Sequence, residues 1–135
     1  MYSNILVPMA LDHGLSEQTL EIARALLAPG GRITAIHVHE APQGSVSAYL
    51  DEETINNAKA SARERLSEKV AGLDGVSAVL VTGHSSRTIV DYANENGTDC
   101  IVIGSHRPGL SDYLIGSTAA RVVRHAQCAV HVQRS

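Results

Sequence analysis

The chain is predicted to be an α/β protein, a single-domain, doubly wound, five-stranded parallel sheet of order 3-2-1-4-5 with helices on both faces. Three observations lead there. Short apolar runs rich in β-branched residues alternate along the chain with longer stretches whose apolar residues recur every three or four positions. The short runs are continuously apolar, the mark of strands covered on both sides, and such strands separated by helices pair in parallel. Right-handed crossovers then leave 3-2-1-4-5 as the best order, with winding reversing between the first and fourth strands.

The elements follow in order. Asn4 to Met9 (NILVPM) is the first strand, closed by a proline-containing turn. Ser16 to Ala28 reads as a helix, with Ser16 as N-cap, Glu17 in the first turn and Leu20, Ala23 and Leu27 on one face. Pro29, Gly30 and Gly31 stop it, and Arg32 to His39 (RITAIHVH) is the second strand. A polar Gly- and Pro-containing loop spans Glu40 to Leu50. The longest helix, Asp51 to Leu73, carries Ile55, Ala58, Ala62, Leu66, Val70 and Leu73 as one stripe. After Gly75 the rhythm repeats: strand Val76 to Thr82, helix Ser86 to Glu95, strand Asp99 to Ile103, a glycine-containing loop, helix Ser117 to Ala126, strand Cys128 to Gln133.

Composition narrows the function. At 135 residues the chain fits one domain, and 44% hydrophobic with 19% charged residues is the balance of a soluble globular protein. No apolar run approaches the ~18 residues that span a bilayer, and no signal peptide is read at the N-terminus, so a cytoplasmic protein without membrane contact is expected. A net charge of −3 and only four aromatic residues, all tyrosine, argue against a nucleic-acid reader, which needs a basic face and stacking rings. Cys100 and Cys128 each open a predicted strand and read as reduced packing residues. His13, His39, His84 and His106 fall on the predicted ligand side but lack a compact ligand spacing, so no metal site is expected.

The segment GSHRPGLSDYLIGST, Gly104 to Thr118, carries the functional signal. It joins a strand to an amphipathic helix, where free N–H groups and the helix dipole favour an anion. Gly104, Gly109 and Gly116 let a backbone approach a phosphate, Ser105, Ser117 and Thr118 offer hydroxyls, and Arg107 offers a fixed positive charge. In a sheet of this order ligands sit outside the carboxyl ends of the first and fourth strands, where this loop also falls. Ser117 and Thr118 have a plainer reading as N-caps of the helix.

With these residues in view, the chain resembles the universal stress protein family over essentially its whole length. Nucleotide-binding members carry G-x2-G-x9-G-[ST] after the fourth strand, and Gly104, Gly116 and Ser117 match its first glycine, last glycine and hydroxyl. Also similar are the opening Ile5 to Pro8, the strand end His37–Val38 and the tail Val122 to Val132. The resemblance implies an adenine nucleotide, ATP or a relative with Mg as its companion ion. The first-strand turn (Pro8, Met9, Ala10, Asp12) and the backbone near Val38 would hold adenine and ribose, the glycine loop (Gly104, Ser105, Arg107, Gly109, Gly116, Ser117, Thr118) the phosphates, and Ile103 completes the nucleotide-binding set.

Three departures stand out. Gly104 and Gly116 enclose eleven residues where the pattern has twelve, and Arg107 occupies the position of the middle glycine, with Gly109 two residues on. Ala10 stands where the family usually has an acidic residue able to accept from ribose hydroxyls, with Asp12 as the candidate substitute. The expected function is a stress-associated nucleotide-binding sensor or adaptor acting through dimer and partner contacts; the alternative is a dimeric interaction module of the same fold without nucleotide. No Walker loop or catalytic set is found, so slow ATP hydrolysis is the most that is expected. The last strand, at a sheet edge with Val130 and Val132 apolar, is the expected homodimer contact.

Overall fold

The computed structural model describes residues 1–11, 15–40, 51–105 and 116–134. Five strands alternate with four helices: β1 (Tyr2–Pro8), α1 (Glu17–Leu26), β2 (Leu27–His39), α2 (Glu52–Val70), β3 (Val76–Thr82), α3 (Ser85–Glu95), β4 (Cys100–Ser105), α4 (Ser117–His125) and β5 (Ala129–Arg134). All strand pairings are parallel, in the order β3-β2-β1-β4-β5, as predicted.

The central strands are continuously apolar because both of their faces are buried. On one face Leu6, Ile36, Ile101 and Ile103 pack under Ile89, Val90 and Ala93 of α3 and Ala119 and Val122 of α4. On the other, Ile5, Val7, Ile33, Cys100 and Val102 meet Ala23 of α1, and Ala35 meets Ala62, Leu66 and Val70 of α2. Each fully buried Ile or Leu contributes about 1.5–3 kcal/mol relative to an exposed one, so this two-sided core drives the fold.

Local signals set most boundaries. Ser16 caps α1, its hydroxyl accepting from the Thr19 N–H, and Asp51 caps α2 by accepting from the Thr54 N–H at 2.7 Å. Most elements shift by one to three residues at an end, and three boundaries have a clear local cause or consequence. Helix α1 stops at Leu26, two residues early, because the residue before Pro29 is pushed out of the α region, and Leu27 already opens β2. Leu27 therefore packs from the strand rather than from the helix face. Pro29, Gly30 and Gly31 lie inside β2, where the β1 pairing shifts register between Tyr2 and Asn4. Gly30 sits at φ +80°, and a Cβ on Gly31 would lie 2.6 Å from the Leu27 side chain and 3.0 Å from the Ser3 carbonyl oxygen. Strand β4 runs on through Gly104 and Ser105, which pair with Gln133 and Arg134, so the first two residues of the expected loop are strand.

In α2 the buried part of the stripe is Ala62, Leu66 and Val70; Ile55 is half-buried and Ala58 exposed. Strand β5 is an edge strand, and Val130 and Val132, in register with Ile101 and Ile103, turn onto the core beneath α3 and α4. Both are half-buried, packing on that core while keeping part of their surface exposed. No helix among the described residues is long and apolar enough to cross a membrane.

Candidate functional site

The parallel sheet ends all its strands on one side, and β1 and β4 diverge there because their connections leave over opposite faces. A cleft of about 450 Å³ opens at this point. Pro8, Met9 and Ala10 from the end of β1 form one wall, and Ile103, Gly104 and Ser105 of β4 with Gly116 to Ala119 at the start of α4 form the other. Ile36, His37 and Val38 of β2 and Ser85 and Ile89 of α3 close it. Ile36, Val38, Ile89 and Ile103 lie toward the core, the hydroxyl-bearing Ser105, Ser117 and Thr118 stand at the α4 entrance, and His37 and Ser85 add polar groups from β2 and α3.

The entrance is electrostatically asymmetric. Gly116 is the N-cap of α4, at φ −60° and ψ 152°, and it has no side chain with which to cap the first turn. Ser117 and Thr118 are the first helical residues, not caps. One amide is already engaged: the Gly116 N–H donates to Ser105 Oγ at 2.9 Å, which ties the α4 entrance to the end of β4. The α4 dipole places partial positive charge at this mouth, and Arg124 and His125 in its last turn complement the opposite end. On the α3 side the Ser85 hydroxyl donates to Glu40 at 2.7 Å. That hydroxyl, and then the Ser85 backbone N–H, hold the Glu40 carboxyl below the usual carboxylate range. Among the described residues no group of three or more His, Cys, Asp or Glu is placed to hold a metal ion.

Residues 1–134 match the family model described as the universal stress protein family. The chain belongs to the universal stress protein family. Universal stress protein G of Escherichia coli O157:H7 is 30% identical over 148 residues, covering 99% of this chain and 100% of that protein. Among solved structures, the protein MJ0577 superposes with a TM-score of 0.76 at 26% identity, covering 100% of this chain and 97% of its own. The universal stress protein of Archaeoglobus fulgidus in complex with dAMP has the same fold at a TM-score of 0.56 and 24% identity, covering 97% of each chain.

In this universal stress protein the structure brings Pro8, Met9, Ala10, Val38, Ile103, Gly104, Ser105, Gly116, Ser117 and Thr118 around one cleft. Asp12, Arg107 and Gly109 lie outside the described residues. Among the described residues, the nearest neighbour of a Cβ added at Gly104 is Thr19 Oγ1 at 4.0 Å, an ordinary contact distance. Sequence reasoning missed Ile36, His37, Ser85, Ile89 and Ala119. The parallel arrangement held the signal for Ser85, since it begins the helix after β3 and so lies at the ligand end of the sheet. For His37 the signal was the strand end itself, read only for the backbone of Val38.

Proposed function

We propose that this universal stress protein binds an adenine nucleotide in the cleft between β1 and β4 and acts as a sensor or adaptor through a homodimer and a protein partner. The observation that carries the reading is the lining of the cleft. An apolar floor suits a base, and the α4 entrance, with its hydroxyls and an N-cap glycine that offers no side-chain cap, suits a phosphate. Universal stress proteins of this fold have been solved with dAMP, cAMP and AMP. In this reading Ile103 and Val38 bracket the base, Pro8, Met9, Ala10 and Asp12 border the ribose, and Gly104, Ser105, Arg107, Gly109, Gly116, Ser117 and Thr118 surround the phosphates. ATP with Mg is the fullest ligand proposed for this site, and the cytoplasm the proposed compartment.

Calorimetric titration with ATP and AMP tests the site on wild type and on Gly116→Val. At φ −60° and ψ 152° the Gly116 backbone accepts a side chain without strain, and a branched one would crowd the α4 entrance; circular dichroism checks that the variant is folded. Binding at least tenfold weaker is expected for the variant. Equal heats from both proteins would remove the site from this cleft. No heat from the wild type would favour the nucleotide-free dimeric module, a reading supported by Ala10 and by the Ser105 hydroxyl already holding the Gly116 amide.

A further inference from the structure

Met9, the residue after β1, turns both of its backbone groups toward β2. Its N–H donates to the Ile36 carbonyl at 2.9 Å, and its carbonyl lies 3.1 Å from His37 Nδ1. A carbonyl oxygen only accepts, so Nδ1 carries the proton and donates it. No described peptide bond is cis, and in a trans peptide the N–H points opposite to the C=O. With the Met9 carbonyl drawn toward β2, the Ala10 N–H is therefore turned toward β4, the neighbour of β1 on its other side. The end of β4 and Ala10 line the same cleft.

We propose that His37 is a positioning residue that holds the Met9–Ala10 peptide so that the Ala10 N–H is presented to the cleft as a donor to an acceptor oxygen of the bound nucleotide. The polarity of this position is the reverse of what the resemblance implies. There an acidic side chain would accept from the ligand; here the side chain of Ala10 has no polar atom and the backbone donates. His37 adds a side-chain hold on the Met9 carbonyl to the backbone bond that already draws Met9 toward β2. The role rests on the nucleotide reading above and adds a ligand preference to it, for an oxygen acceptor at the β1 wall.

The test uses 15N-labelled protein titrated with AMP and with adenosine, in wild type, His37→Leu and His37→Asn. In the wild type the Ala10 amide proton moves downfield on binding. His37→Leu binds about tenfold more weakly, the size expected for losing one held hydrogen bond to a charged or strongly polar group, and its Ala10 signal stays put. His37→Asn, whose side-chain amide can donate to the same carbonyl, recovers the shift and most of the affinity. A penalty in His37→Leu that is equal for adenosine and AMP assigns the acceptor to the sugar, and one confined to AMP assigns it to the phosphate. Nucleotide binding with an unmoved Ala10 amide, or with His37→Leu binding as the wild type does, overturns this role and leaves the nucleotide reading standing. A wild type that binds no nucleotide overturns both. The wild-type amide shift needs no variant to fold.

Discussion

Single residues here act mostly by what burial or a hydrogen bond does to one polar group. Cys100 is buried at the start of β4, and burial, followed by the nearby Cys128 and Asp99, pushes its thiol up to about 11. The unfolded chain releases that proton near pH 8.5 and the folded one does not, so the folded state holds more protons in between. Stability is therefore complete below about pH 8.5 and falls as the pH climbs toward 11. Urea midpoints measured at pH 8 and at pH 10.5 should show this fall, and Cys100→Ala should flatten it. The same burial keeps Cys100 inert to thiol reagents in the native state, as expected of a packing cysteine. Glu40 runs the other way. The Ser85 bonds lower its carboxyl, so the tie between the ends of β2 and α3 is present above the carboxylate range and is lost as the pH falls through it.

At the scale of elements, two junctions decide how the strands align. Asp99, just before β4, accepts from the N–H groups of Ser3 and Asn4 at 2.8 and 2.9 Å, while its own N–H donates to the Asn4 carbonyl at 3.0 Å. One carboxylate thus fixes the start of β1 against the start of β4, the pair whose far ends make the cleft. Asp99→Ala should cost about 2 kcal/mol, the scale of hydrogen bonds to a charged group, visible as a lower denaturation midpoint with an unchanged slope. The second junction is the register shift at the start of β2. Gly31→Ala forces a Cβ against the Leu27 side chain and two backbone carbonyls, and a loss of about 1–3 kcal/mol is expected from overpacking. Gly72→Ala, with open space around its added Cβ, is the control that should change little.

For the whole molecule, the proposals converge on linkage. A nucleotide that binds only the folded state at a hundred times its Kd adds about 2.7 kcal/mol, a rise of several degrees in the thermal midpoint that a tenfold weaker Gly116→Val should cut to about half at the same concentration. A homodimer through β5 predicts twice the mass of one chain by light scattering at micromolar concentration; a monomeric mass at every concentration would refute it. Val130 and Val132 are half-buried against the core, so the contact proposed for this strand combines its backbone edge, which pairs with no other strand among the described residues, with the exposed part of these two side chains. Substituting either valine should then cost core stability as well as weaken the dimer.

Fold class and strand order were legible in the sequence because they follow from the spacing of apolar residues, which every part of this core obeys. Strand β3 was read to the residue and the other elements to within a few positions, except where Pro29 and the two glycines entered β2 instead of ending a helix outside it. That exception arises from close backbone approach between β1 and β2, which no pattern of side chains records. The cleft was legible as far as it is made of a glycine loop and a helix start. Its β2 and α3 lining was not, since Ile36, His37, Ser85 and Ile89 are brought to the β1/β4 crevice only when the sheet is assembled. The sequence alone thus determined the α/β sheet, its order and the end at which a ligand would sit, because periodicity and chain order are local properties. That Ser105 holds the Gly116 amide, and which way the Met9–Ala10 peptide faces, were decided only by the tertiary structure, because each depends on a partner from a distant stretch of chain.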